Sequence, residues 1–401
     1  MDTVCHVITQ LELGGAQEVA LHTVSHLDPT WFTPILVTGP GGLLTEEARQ
    51  ISRVQVAMIP ALARAINPVR DAAALIALVR FFRHCRPTIV HTHSSKAGIL
   101  GRWAAWIAGV PVIVHTVHGY GVTPAQSRWL QWALVRLERF TGWITTHWIA
   151  VSESDVRKGR EWKLFGENIS LIRPGIDPQP FRQDVGRGAR ERIRREWGMQ
   201  PNEWLVGSVA CLKPQKAPED FVTVARAVCA AMPTTRFVLI GDGELRSAVE
   251  SRIREAGLEN RIHLAGWRRD IPDVMRAMDV FLLTSHWEGL PRVILEARAS
   301  GLPIVASDVG GTVDALKGYQ QARVARVGDV DGLSKELINT VDQLISSLPD
   351  RPQPGEFPRE FHIDEMVRSC EMLYGELIQK WQIHAHRRPD KTLRSELNSR
   401  H

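Results

Sequence analysis

A chain of 401 residues is too long for one ordinary core and predicts two domains of roughly 200 residues each. With 44% hydrophobic and 23% charged residues it has the balance of a folded globular protein, not of a disordered one. The net charge of +5 suits an anionic ligand or a membrane surface. It is too small to argue for nucleic acid, and no zinc-type Cys/His spacing, RNP pattern or dense basic arm argues for it either.

The opening MDTVCHVITQLELGG has no basic n-region and no small-residue cleavage site, so no leader is expected. TVCHVIT (3–9) reads as a first strand and AQEVALHTVSHL (16–27) as a first helix, with Gly14–Gly15 between them. Paired glycines let backbone approach a phosphate at a helix N-terminus, and a plain tight turn fits them equally well. The G-x-G-x-x-G of a dinucleotide site is absent, which argues against a dehydrogenase. TPILVTG and VQVAMI continue the strands, PVRDAAALIALVRFFRHC (68–85) is helical, and TIVHTH, VIVHTV and HWIAVS follow, each trailed by a helical pattern. Strands alternating with helices predict a parallel sheet with both faces covered.

His91 and His93, or His115 and His118, look like metal pairs, but no nearby acid or cysteine completes a set, and no metal is expected. His118, followed by the permissive Gly119, fits a cleft-facing hydrogen-bonding or acid–base group, and a purely structural histidine fits as well. WAAWIAGVPVIVHTV (103–117) is broken by Gly109 and Pro111. It reads as helix, turn and strand, short of the roughly 20 apolar residues of a membrane span. RWLQWALVRLERFTGW (128–143) sets Trp129, Trp132, Arg136, Arg139 and Trp143 along one helix, the composition either of an interfacial membrane helix or of a core-facing helix with a basic outer side.

Residues 173–203 are rich in Pro, Gly and Arg and contain no strand, which marks a domain boundary. The alternation resumes with WLVGSVA, RFVLIGDG, RIHLAGW, DVFLLTS and LPIVASD. Lys213 and Lys216 follow the first of these, where cations suit a phosphate ligand, although two solvated loop lysines fit too. GDVDG (328–332) directly precedes a helix and reads as an N-cap, not a metal site. SSLPDRPQPGEFPREF (346–361) is a second break, and the chain closes on a helix and a basic polar tail. Five scattered cysteines suit free thiols in a reducing compartment.

HWEGLPRVILE (286–296) poses a question. Pro291 suits a first helical position, and VILEARA is apolar on nearly every side, so a buried helix carries Glu296 with Glu288 just before it. An ionised carboxylate is costly to bury without a partner.

TSHWEGLPRVILEARASGLPIVASDVGG (284–311) resembles the E-x7-E signature of family 4 of the retaining glycosyltransferases, and VSESDVRKG, LIRPGID, GDGELR and HLAGWRRDIP resemble family segments in family order. The resemblance runs from Gly14–Gly15 to the last helix. It implies the α/β GT-B fold, two Rossmann-like doubly wound domains facing each other across a cleft. On that basis residues 1–175 form the N-terminal, acceptor-side domain, 176–203 a linker and 204–360 the nucleotide-sugar domain. Residues 361–383 form a helix packing back towards the N-terminal domain, and 384–401 a basic tail.

The resemblance also implies residue roles. The helix near Pro291 points at a diphosphate, with Gly289 and Leu290 offering backbone N–H groups. Glu296, about 7.5 Å further along the axis, holds the ribose, and Glu288 holds the transferred sugar. Lys216 neutralises the leaving diphosphate, and His118 lies near the reacting centre. Trp267 and Arg268 fall in the base-binding segment. Cys211 departs from the pattern, which commonly has an arginine there, and Lys213 is the candidate replacement.

The implied activity is metal-independent, retaining hexosyl transfer without a cofactor. The donor is a nucleotide diphosphate sugar, UDP-sugars foremost, and the acceptor a polysaccharide or lipid-linked saccharide. The expected place is cytoplasmic, at the inner face of the membrane, with a peripheral contact to anionic lipid and no nucleic-acid partner. Two other classes share such a fold: a nucleotide-sugar epimerase or phosphorylase, active without an acceptor or with inorganic phosphate, and a non-catalytic nucleotide-binding module.

Overall fold

The computed structural model describes residues 1–123, 125–182, 188–346 and 355–386, with side chains to 383. Seven strands, β1 (Asp2–Val7), β2 (Phe32–Thr38), β3 (Gln55–Met58), β4 (Ile89–His93), β5 (Val112–Val117), β6 (His147–Ala150) and β7 (Ile169–Leu171), form one sheet in the order 3-2-1-4-5-6-7. Six more, β8 (Trp204–Val209), β9 (Thr235–Ile240), β10 (Ile262–Gly266), β11 (Val280–Leu283), β12 (Ile304–Asp308) and β13 (Ala322–Arg326), form a second in the order 10-9-8-11-12-13.

The strand pairs are parallel. In each sheet the order reverses beside its first strand, between β1 and β4 and between β8 and β11. Loops leaving the carboxyl ends of these strands part there and open a crevice, the usual ligand position in such sheets.

Central strands read as continuous β-branched runs because both faces are covered. Every residue of β4 and β5 is buried. The helix Pro68–Cys85 matches its expected span, with Asn67 accepting from Arg70 N at 3.0 Å at one end and Arg86 in the left-handed region at the other. The two strands absent from the expectation are β7 and β13. Both lie at sheet edges, where burial demands little, and neither is buried at any position.

Pro291 proves to be the residue before the helix Arg292–Ala299, in extended backbone, not its first helical residue. Part of the expected linker belongs to the second half. The helix Ala189–Glu196 buries Ile193 in that half's core, and Arg190 and Arg194 both pair with Asp279.

The last helix, Ile363–His386, crosses back to the first sheet. Met366, Val367, Cys370, Leu373, Tyr374 and Leu377 recur at three- and four-residue intervals and pack with Val4, Ile89 and Val114. It continues into the first three residues of the expected tail (384–386), and 387–401 lie outside the described residues. Ile176 and His362 pair in parallel, so the crossing back tracks the crossing out.

Candidate active site in the cleft

Gly14, Gly15, His118, Lys213, Lys216, Trp267, Arg268, Glu288, Gly289, Leu290 and Glu296 all line one cleft cavity of about 320 Å³. Five strand exits, those of β1, β5, β8, β10 and β11, deliver them from both halves.

The halves meet backbone to backbone at its floor. A Cβ on Gly289 would lie 2.7 Å from the carbonyl carbon of His118 and 2.8 Å from Gly119 N, so no larger residue fits. Gly119 itself has φ +87°. Gly14 has extended backbone and caps the helix Gly15–His26, so no left-handed turn requires it. The helix N-terminus opens into the cavity.

The two groups with separately implied roles hold each other. Lys216 Nζ lies 2.5 Å from Glu288 Oε1, and Gln215 Nε2 donates to Glu288 Oε2 at 3.2 Å. Lys213 lines the same wall as Cys211. Burial first, and then the Lys216 charge, lowers its pKa, and Arg64 from the other half repels it too. A second cation therefore stands beside Lys216 despite the missing arginine. Arg268 is engaged by Asp270 and Glu196, which hold its guanidinium at the cavity edge, whereas Trp267 is 45% exposed.

Glu296 is the carboxylate without a protein partner. Among the described residues its side chain has no hydrogen bond or ion pair, and burial pushes its pKa up to about 7 against the pull of Arg292 and with the push of Glu18. Arg292 is instead paired with Glu18 across the cleft, a link that the sequence reading missed. Its one signal is a cation four residues before Glu296.

The histidines fall into two sets. His91, His93 and His115 lie inside strands, and of these four histidines His118 alone sits at a strand exit. Alternation turns His91 and His93 to one face and His115 to the other, against Thr92 and Trp148. The third side chain that the metal reading lacked is His6 of β1, whose ligand-type nitrogen lies within 4.8 Å of those of His91 and His93. Their nitrogens are, however, occupied by hydrogen bonds to one another, to His118, to Tyr374 and to Thr116. Asp329 Oδ1 accepts from Gly332 N at 2.8 Å, a capping contact at the helix Val330–Ser346.

The helix Arg128–Gly142 does not turn its tryptophans inward. Trp129 is 73% exposed, Trp132 57%, Phe140 55% and the following Trp143 87%, while Thr141 is its one buried residue. Arg136 lies over the Trp132 ring at 5.2 Å. Trp106 and Ile107 extend the apolar surface from the neighbouring helix Ser95–Ala108. No described helix is long and apolar enough to cross a membrane.

Comparison with known proteins covers nearly the whole chain. Residues 13–180 match the family described as Glycosyltransferase Family 4, and residues 189–351 the one described as Glycosyl transferases group 1. The Escherichia coli UDP-Gal:alpha-D-GlcNAc-diphosphoundecaprenol alpha-1,3-galactosyltransferase is 32% identical over 380 residues, 94% of this chain and 97% of that protein. Among solved structures, sucrose-phosphate synthase from Thermosynechococcus elongatus superposes with a TM-score of 0.77 at 17% identity, covering 95% of this chain and all of the other. HepE from Anabaena, in complex with UDP and glucose, gives 0.73 at 19% identity and covers 96% and 99%.

Proposed function

Because this chain belongs to glycosyltransferase family 4 and is a GT-B glycosyltransferase, not an epimerase or phosphorylase, we propose that it carries a hexosyl group from a UDP-sugar to a lipid-linked saccharide, retaining the anomeric configuration without a metal ion. The donor and acceptor classes are those named for the 32% identical relative. The observation that carries the proposal is the unpartnered Glu296 carboxylate, in one cavity with Lys213, Lys216 and the N-terminus of the helix Arg292–Ala299.

Those groups divide a nucleotide sugar among them. Glu296 accepts the ribose hydroxyls, and the diphosphate lies against Gly289 and Leu290 N–H and the two lysines. Gly14–Gly15 approaches the diphosphate from the opposite half, and Trp267 and Arg268 border the base. Glu288 and His118 flank the transferred sugar. The bond from the anomeric carbon to the phosphate oxygen breaks with its electron pair leaving on the diphosphate, whose charge Lys216 stabilises. The acceptor hydroxyl then bonds to the same face and its proton passes to the departing oxygen. Preorganised cations at that oxygen are the largest expected catalytic term. Neither glutamate is needed as a covalent nucleophile, unlike the carboxylate pair of many retaining hydrolases.

The acceptor belongs to residues 1–175 and the donor to 204–360, joined through 176–203, of which the helix Ala189–Glu196 packs on the donor half. A lipid-linked acceptor places the work at a membrane, and the exposed Trp/Arg helix provides an anionic-lipid contact at the inner face of the cytoplasmic membrane. The test is transfer of labelled sugar from UDP-sugars to a polyprenyl-diphosphate saccharide, with the product anomer read by NMR. Transfer with retention that survives exhaustive EDTA is expected. Inversion, or activity lost to EDTA and restored by Mn²⁺, would overturn this reading.

A further inference from the structure

Behind His118 a single file of hydrogen bonds runs into the first half. His118 Nε2 meets His93 Nδ1 at 3.0 Å, His93 Nε2 meets His6 Nδ1 at 3.0 Å, and His6 Nε2 meets the Tyr374 hydroxyl at 3.1 Å. The same hydroxyl meets His91 Nδ1 at 2.5 Å, and His91 Nε2 meets Thr116 Oγ1 at 2.6 Å. Strand register builds the file. His6 pairs with His91 across β1 and β4, and alternation puts His91, His93, Thr116 and His118 on that same face. The helix Ile363–His386 then lays Tyr374 over it.

Burial lowers the pKa of all four histidines, that of His6 to about 3 and that of His118 to about 4, so each ring is neutral at neutral pH. A neutral imidazole donates at one nitrogen and accepts at the other. One choice of direction therefore sets every link. The Tyr374 hydroxyl cannot accept from both sides without leaving its own hydrogen buried and unbonded, which is costly. Two directions remain, and Thr116 separates them. Its hydroxyl is buried and has His91 as its one protein partner among the described residues, so within the protein its hydrogen is satisfied by donating to His91. The hydrogens then run from Thr116 through His91, Tyr374, His6 and His93 into His118 Nε2.

We propose that this file holds His118 as its Nδ1–H tautomer, so that it meets the sugar as a hydrogen-bond donor and not as a base, with Thr116, His91, Tyr374, His6 and His93 as positioning residues. The proposal rests on the reading above that His118 flanks the transferred sugar. His118 Nδ1 has no partner among the described residues, and its ring lines the cleft. The His6, His91 and His93 trio also has the residue types of a metal site, but all six of its ring nitrogens already have a hydrogen-bond partner.

The test uses full-length protein labelled with ¹⁵N-histidine, in which two-bond ¹H–¹⁵N spectra separate the Nδ1–H and Nε2–H forms. His118→Ala identifies the His118 signal. Wild type should show Nδ1–H at His118. Tyr374→Phe cuts the file, so His118 should shift to a mixture containing Nε2–H. Its kcat should fall in proportion to the Nδ1–H fraction lost, about twofold for an even mixture and up to about tenfold for full conversion, while UDP affinity is unchanged. Thr116→Val cuts the file at its other end, with the same expected outcome, and covers the case that Tyr374→Phe fails to fold. Nε2–H at His118 in wild type, unchanged tautomer and kcat in both variants, or stoichiometric zinc uptake that replaces the N–H signals would overturn the proposal. Full activity in His118→Ala would instead overturn the sugar contact, because the tautomer is read from the spectra alone.

Discussion

Lys216 and Glu288 are a closely coupled pair in the cleft, and their contact at 2.5 Å shapes what their variants should show. Lys216→Ala removes a cation from the leaving group and should lower kcat by about 10² to 10³. It also leaves Glu288 without its counterion. Glu288→Gln should likewise lower kcat, and the double variant should lose much less than the sum, because contacting residues are not additive. Steady-state kinetics on the three variants measures this, and additive losses would separate the two roles. Glu296 carries a different prediction. With its pKa at about 7, raised by burial and flanked by Arg292 and Glu18, it accepts ribose hydroxyls best once ionised. UDP-sugar affinity should therefore strengthen as pH rises from 6 to 8, and Glu296→Gln should flatten that slope while weakening binding roughly tenfold at pH 8. In the free protein the sign reverses. The folded state holds this proton more tightly than the unfolded chain, so stability falls as pH rises from the ordinary glutamate value of 4.5 through about 7. Calorimetric titration and thermal melts across that range check both.

Elements carry function here through the face they present. Helical spacing made the Trp/Arg helix visible in the sequence but left two outer faces open. The structure exposes Trp129, Trp132, Phe140 and Trp143 instead of burying them. The protein should sediment with vesicles containing anionic lipid and be released by salt, since exposed charge contacts are screened within about 10 Å at 0.1 M. Trp129→Ala combined with Trp132→Ala should weaken that binding without lowering thermal stability, and equal binding to neutral vesicles would contradict an electrostatic contact. Nine of the eleven legible strands are central strands of parallel sheets, which read as apolar runs, and the edge strands β3 and β10 were legible from their own short apolar runs. The edge strands Ile169–Leu171 and Ala322–Arg326 were not, since exposure lets the first be only three residues long and the second carry two arginines. The helix Ala189–Glu196 was hidden for another reason. Its arginines read as linker charge until Asp279, far along the chain, is seen to receive two of them.

The whole molecule is closed by its last helix, which belongs in sequence to the second half and packs on the first sheet. Leu377 is buried there, so Leu377→Ala should destabilise the protein by about 2 to 4 kcal/mol, the cost of lost burial plus a cavity. Urea unfolding should record it as an earlier transition of the N-terminal half. A loss below about 0.5 kcal/mol would mean that the helix is not anchored there. Cleft geometry is set at the same scale. Gly119 and Gly289 let the halves touch, and the Arg292–Glu18 pair spans the gap above them.

Alternating strands and helices, the break near 173–203 and the two glutamates eight positions apart are local patterns, so they were legible in the chain itself, whereas Gly289, Leu290, Trp267 and Arg268 were named only through the family resemblance. The gathering of the cleft residues into one cavity follows in part from topology, because the exits of β1, β8 and β11 flank a reversal of strand order and face one crevice, which the loops after β5 and β10 reach from further along their sheets. What only the tertiary structure decided are the contacts between residues distant in sequence. These are the pairing of Lys216 with Glu288, the link from Arg292 to Glu18, the engagement of Arg268 by Glu196, and the union of His6, His91, His93 and Tyr374 in one buried network. No spacing encodes these. Parallel pairing of β1 with β4, and a helix returning from the far end of the chain, bring together side chains that no local period relates.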